Sequence, residues 1–330
     1  MARKRKIQRR VRQLGMLGRL WRNCKVAVVL SIIAAIIFGV WYSKQDAATQ
    51  RRSQEVAIVG LDFLIELKQT NRDADEMLNW LIQQMPASLG NVLAVGDIEG
   101  ADRYTFAGVP VGARPVKVLN NKGYLVGYDE ALRNPAWVAY RLEHPENVDT
   151  SERPESFDVD RRTRARVDHY AYSNSGYDRG HMAPNFAIDT VFGQRAQRET
   201  FLMSNIVPQR PDLNQGPWKV LEQTIARRYL RDYTEVWVIT GPIYTEPTSR
   251  LASGVAIPVA FFKIVVDVVE PGGLRAFAVI LEQGVDPAAK MAGYLVTIDA
   301  IEAATGLDFL SLLDDSVEAV LEADLPKRLW

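Results

Sequence analysis

The chain has 330 residues, 47% of them hydrophobic, with 40 basic and 40 acidic side chains that cancel to a formal net charge of zero. That is enough apolar material for one large core or two ordinary ones. The single cysteine, Cys24, excludes an intramolecular disulfide and any cysteine-built metal centre. The neutral total conceals a division: residues 1–25 carry +10, residues 26–150 carry −4, residues 151–232 carry +2 and residues 233–330 carry −8.

The basic head is followed by VAVVLSIIAAIIFGVWY, residues 26–42, a run without a charge. At about 1.5 Å per residue this is the short end of a membrane-spanning helix. The crowded bases on its N-terminal side place that flank in the cytosol. No A-x-A-like cleavage site follows Tyr42, which favours an uncleaved anchor over a cleaved signal peptide. From Ala47 to Met85 apolar residues recur at helical spacing (Val56, Val59, Phe63, Leu67, then Met77, Leu78, Leu81), predicting two amphipathic helices. Their apolar faces would pack on the main domain or on a second copy of the chain.

Glycine and proline punctuate residues 86–115. The segment GYLVGYDEALRNPAWVAYRLE predicts an extended stretch, a turn at Asn134-Pro135 and a strand over Trp137–Leu142. Residues 144–176 are charged and strand-poor, as a long functional loop would be. In PWKVLEQTIARRYLRDY, Trp218, Leu221, Ile225 and Leu230 share one side, and Pro217 suits a first helical position. Three β-rich segments follow, EVWVITGPIY, AIPVAFFKIVVDVV and RAFAVILEQ, and then a helix over IDAIEAATGLDFLSLL interrupted at Gly306. Strands interleaved with helices predict an α+β domain from about residue 100 to the end.

Chemistry concentrates in YDRGHMAPN, residues 177–185. The chain has three histidines, and His181 is the one set beside an arginine and a glycine. A neutral imidazole accepts a proton at physiological pH. In an extended segment Arg179 shares its face, offering a planar fork suited to phosphate oxygens. Taken alone, the stretch reads equally well as a solvated polar turn. Downstream, Asn214 precedes the helix begun by Pro217, and Glu222 lies on that helix with its side chain leaning back toward Asn214. An amide oxygen and a carboxylate are hard ligands of the kind Mg²⁺ accepts. No HExxH, GxSxG or P-loop pattern occurs, so zinc-protease, α/β-hydrolase and nucleoside-triphosphatase readings lack support, and no nucleotide cofactor is expected.

YDRGHMAPN, then SNIVPQ, then LN, then W and LE together resemble the DNA/RNA non-specific endonucleases, over about residues 120–310. The resemblance implies a ββα-metal nuclease fold with a central antiparallel sheet flanked by helices. It implies that His181 is the general base, that Asn214 binds a Mg²⁺ ion directly (Mn²⁺ being the alternative), and that Glu222 holds metal-bound water. Arg179 matches the motif arginine, Asn205 the supporting asparagine, and Arg153 in SERPESF the upstream arginine that contacts phosphate. The expected organisation is a basic cytosolic tail (1–25), a transmembrane anchor (26–42), a helical stalk and linker (43–100) and an endonuclease domain (101–330). The expected protein is a single-pass inner-membrane enzyme, with its N-terminus cytosolic and its catalytic domain periplasmic; a mitochondrial membrane is the lesser alternative. Its substrate would be DNA, RNA or both, and pairing of the stalks would make it a homodimer. The competing readings are an inactive nucleic-acid-binding or envelope scaffold of the same fold, and a phosphodiesterase acting on a non-nucleic substrate. RRTRAR, residues 161–166, is the densest basic cluster and serves either as substrate contact or as a solvated loop.

Overall fold

The computed structural model describes residues 101–330, except 113, 146–149, 270–272 and 289. The basic tail, the anchor and the stalk lie outside the described residues. Among the described residues, no helix is long and apolar enough to cross a membrane.

A single helical turn at Ala101–Tyr104 leads into β1 (Val111–Gly112), β2 (Lys117–Asn121), β3 (Tyr124–Asp129) and β4 (Asn134–Glu143). Next come β5 (Asp178–His181), α1 (Asn185–Phe192), α2 (Gln194–Thr200), β6 (Ile206–Gln209), α3 (Pro211–Gln215) and α4 (Pro217–Gln223). The C-terminal part contains β7 (Glu235–Ile243), β8 (Ala260–Val269), β9 (Gly273–Glu282), β10 (Leu295–Val296), α5 (Ile298–Thr305), β11 (Leu307–Asp308) and α6 (Asp315–Ala323). Seven strands form one antiparallel sheet in the order β10-β9-β8-β7-β4-β3-β2, and two short ribbons, β5-β6 and β1-β11, stand apart from it.

The central strands are apolar along nearly their whole length because the sheet is covered on both faces. Alternate residues of a strand point to opposite sides, and the two sides feed two cores. Val238, Phe261 and Phe277 pack with Met182, Trp218 and Leu221 in one. Their neighbours Ile239, Phe262 and Ala278 pack with Ile298, Ile301 and Phe309 in the other. The β5-β6 ribbon and α4 therefore lie over one face, and α5 and α6 over the other.

The expected turn at Asn134-Pro135 falls earlier, at residues 130–133. Asp129 Oδ1 accepts hydrogen bonds from the backbone N–H groups of Ala131 and Leu132 (2.8 and 2.9 Å), and Arg133 takes a positive φ of 57°. Pro135 is held inside β4 opposite Tyr128, next to the register shift at Gly127/Tyr128, where the ladder is irregular and a missing donor matters least. Pro217 does begin a helix, but α4 passes at Thr224–Tyr229 into a π-helical segment before closing at Leu230–Asp232. The expected interruption at Gly306 is a left-handed cap (φ 68°) that ends α5. Beyond it the chain forms β11 and then α6, whose N-cap Asp314 accepts from the Ser316 N–H.

Gly127 has a steric reason to be glycine. A Cβ there would lie 2.2 Å from the ring of Trp137, which is fully buried between strands. Gly127→Ala is expected to lower stability by about 1–3 kcal/mol, read as an earlier urea midpoint with unchanged slope.

Candidate active site

The site is assembled from a four-residue strand and the elements that grip its two ends. β5 is extended as expected, pairing with β6 so that Arg179 faces Pro208 and His181 faces Ile206. At its C-terminal end, the backbone N–H of Met182 donates to the Asn205 carbonyl (3.0 Å). The Asn205 side chain, wholly buried, then clasps the next residue from both sides: its Oδ1 accepts from Ala183 N–H (2.8 Å) and its Nδ2 donates to the Ala183 carbonyl (3.0 Å). The same Nδ2 donates to the Thr200 carbonyl (2.9 Å), tying the clasp to the end of α2. Asn205 thus positions the segment that carries His181.

At the N-terminal end, Asp178 Oδ2 accepts from Asn214 Nδ2 (2.9 Å) and from Gln215 Nε2 (2.8 Å), both on α3. Pinning the amide nitrogen of Asn214 turns its Oδ1 the other way, free to serve as an oxygen ligand. The part played by Asp178 was not legible in the motif, because its partners stand 36 and 37 residues downstream. Gly180, between the two functional side chains, makes room for a protein group: a Cβ there would lie 2.0 Å from the amide oxygen of the buried Gln209.

His181 sits among aromatic rings, 5.5 Å from Phe157 and 4.9 Å from Phe201, the latter edge-on. Its Nε2 is buried without a hydrogen-bond partner among the described residues. Burial, and after it the positive charge of Arg153, lowers the imidazole pKa from its usual 6.5 to about 3. Arg153 lies over the same Phe201 ring at 5.3 Å, so the upstream arginine does reach the site. Arg179 is placed differently from the expectation of a free phosphate-binding fork. Its Nε (3.1 Å) and Nη2 both donate to the His169 carbonyl, and its guanidinium lies over Phe157 and Tyr172 at 5.8 and 5.9 Å.

Glu222 points inward from α4, and its Oε1 is buried with no hydrogen-bond partner among the described residues. Burial raises its pKa, while the charge of Lys263 opposes the rise; burial in turn lowers Lys263, which Glu222 opposes. Lys263, fully buried on β8, lies 4.5 Å from the Trp218 ring and 3.5 Å from Tyr140 Oη. This lysine escaped the motif reading. The available signal was a single cation in the middle of the apolar run AFFKIVVDVV. An amide oxygen and a carboxylate are hard donors, so Asn214 and Glu222 fit a divalent cation by their chemistry.

The basic cluster is partly spent on structure. Arg162 donates to Asp160 Oδ1 (2.9 Å) and Oδ2 (2.7 Å) and to Asn121 Oδ1 (2.7 Å), whereas Arg161, Arg164 and Arg166 are exposed.

The depressed pKa of His181 has a signed consequence for stability. The unfolded chain takes up a proton there near pH 6.5 and the folded chain only near 3, so between these values the unfolded state binds more protons. Stability is therefore lost as pH falls through that window. His181→Gln is expected to flatten the fall in unfolding free energy between roughly pH 6.5 and 4, measured by urea titration. An unchanged slope would show that residue 181 does not resist protonation in the fold.

Comparisons with known proteins point to one family of nucleases. The chain is similar to a nuclease of a Nostoc species, 31% identical over 233 residues, covering 66% of this chain and 83% of that one. It is similar to human mitochondrial endonuclease G, 32% identical over 210 residues, covering 59% of this chain and 69% of that one. The crystal structure of an EndoG/EndoGI complex superposes with a TM-score of 0.56 at 27% identity, over 65% of this chain and 91% of that one. The family model described as DNA/RNA non-specific endonuclease matches residues 107–316, which contain every side chain of the site, and the chain belongs to that family.

Proposed function

We propose that this endonuclease is membrane-anchored and depends on a divalent cation, Mg²⁺ first and Mn²⁺ as substitute, to hydrolyse phosphodiester bonds of DNA, RNA or both with little sequence preference. The observation that carries the reading is the pair of grips on β5, which hold a neutral imidazole on that short strand and turn the Asn214 amide oxygen of the adjoining α3 outward. Asn214 and, through water, Glu222 would hold the cation, which when bound supplies positive charge against the extra negative charge of the five-coordinate phosphate.

The chain's own groups do the rest. His181 Nε2 is sealed among rings, which leaves Nδ1 as the nitrogen that takes a proton from the attacking water. Burial and the charge of Arg153 keep the imidazole neutral, so its lone pair is open at physiological pH. Arg153 offsets phosphate charge. Arg179, bound to the His169 carbonyl, fixes the preceding loop against β5. The exposed Arg161, Arg164 and Arg166 suit backbone contacts, giving binding that weakens as salt rises.

Supercoiled plasmid incubated with the purified full-length chain in detergent tests the chemistry. Nicking is expected with Mg²⁺ and not after EDTA; no cleavage with any divalent ion would overturn the enzyme reading. His181→Ala should lose at least about 100-fold in rate. Asp178→Asn should lose about 10- to 100-fold, with part of that recovered at higher Mg²⁺, because it frees Asn214 to rotate. Loss without any dependence on metal concentration would assign Asp178 to another role.

The anchor proposal rests on the uncharged run at residues 26–42 behind its ten bases. It places the catalytic domain outside the cytosol, in a bacterium the periplasm. A folding-sensitive reporter fused after Trp330 should be active only on the non-cytosolic side; activity in the cytosol would reverse the topology.

A further inference from the structure

The sheet face away from the nuclease site carries a second concentration of charge. Between residues 299 and 324 the chain has eight acidic residues and no basic one. Asp299 stands in the first turn of α5, and Glu302 follows one turn later on the same side. Glu322 comes from the last turn of α6. One carboxylate oxygen from each lies within 4.8 Å of the others. Oxygens on opposite sides of a Ca²⁺ ion, each at about 2.3–2.6 Å, stand about 4.6–5.2 Å apart, so this group spans a single calcium sphere.

An acidic cluster on a surface is ordinary; Glu322 makes this one different. It is 6% exposed, and its Oε1 has no hydrogen-bond partner among the described residues. A buried ionised oxygen facing other carboxylates is costly unless a cation or a proton joins them. Burial, and then the negative charges of Glu302, Glu318, Asp299 and Asp308, push its carboxyl up to about 8. Glu302 is raised as well, by burial first, although its Oε1 accepts from the Phe309 N–H at 2.8 Å. That hydrogen bond fixes the side chain against the backbone of Phe309. Lys and Arg are absent from the stretch itself, so a neutralising partner has to come from outside it.

We propose that Asp299, Glu302 and Glu322 bind a calcium ion that clamps α5 to α6. Hard oxygen donors with three negative charges suit Ca²⁺, and water completes its coordination. The ion would tie the C-terminal helix to the one before it, across the connection formed by β11 and the residues up to Asp314. This site shares no residue with the nuclease centre, and its test is independent of that reading.

The experiment uses the full-length chain, stripped with EDTA, in an Asn214→Ala background that removes the expected ligand of the nuclease site. Millimolar Ca²⁺ should raise its melting temperature by about 5 °C, and calorimetric titration should show one calcium site. Adding Glu322→Gln should abolish both responses. Without metal this variant should be at least as stable as its parent, since an amide relieves the crowding of carboxylates. Asp299→Asn, at an exposed position, provides a second variant and should weaken Ca²⁺ binding at least about tenfold. Absence of Ca²⁺ binding in the Asn214→Ala parent would overturn the proposal and leave a proton shared among the carboxyl groups. Calcium binding that survives both added substitutions would overturn it equally.

Discussion

The junction of β5 with α3 depends on one carboxylate. Asp178 receives the amide protons of both Asn214 and Gln215, so a strand and a helix that are remote in sequence meet at a single oxygen. Hydrogen bonds to an ionised acceptor are each worth about 1.5–3 kcal/mol, enough to choose between the two orientations of an asparagine amide. The orientation matters because only one of them presents oxygen to a cation. At the other end of the same strand, Asn205 fixes the backbone beyond His181 by a similar economy, with one side chain satisfying both polar groups of Ala183. A strand of four residues has little rigidity of its own; these two side chains provide it.

The electrostatics divide in the same way between fixing and acting. Arg179 reads from the sequence as a fork suited to phosphate, and Arg162 belongs to a cluster open to either substrate contact or solvent; the fold occupies the first with a backbone carbonyl and the second with Asp160. Arg153 remains closer to the chemistry, where its charge helps to keep His181 neutral. Burial among rings and the neighbouring Arg153 charge both favour the neutral imidazole. The acidity of the body as a whole is therefore compatible with a nucleic-acid enzyme, provided that the exposed arginines of residues 161–166 face the substrate.

Residues whose role is local were legible in the sequence. Pro217 announced its helix start, and the three strands after residue 233 announced themselves by their β-branched and aromatic runs, while His181, Asn214 and Glu222 stood out as candidates through the resemblance. Residues whose partners lie far along the chain were not. Asp178 reads as the end of a turn until α3 is placed beside it, and Lys263 reads as an irregularity in an apolar strand until Trp218 and Tyr140 enclose it. The turn at residues 130–133 was displaced from Asn134-Pro135 because proline signals a break, and only the ladder's irregularity at Gly127/Tyr128 shows that the strand tolerates it. The helix over Asp315–Ala323 was missed because its apolar residues do not form one buried face: Leu321 is buried while Val317 and Val320 stay exposed.

The double-sided burial of the sheet has a consequence for how such a protein diversifies. Every central strand sends alternate side chains to two separate layers, so a substitution on one side meets a different set of neighbours from a substitution one residue later. The cleavage machinery and the C-terminal helices are thus insulated from each other by a single thickness of backbone. Lineages can rebuild the rear layer, gaining or losing an ion clamp or an attachment surface there, while the front layer keeps its chemistry. Lys263 marks the limit of that freedom: it sits within the partition itself, and a change there would be felt at Glu222 on the front face.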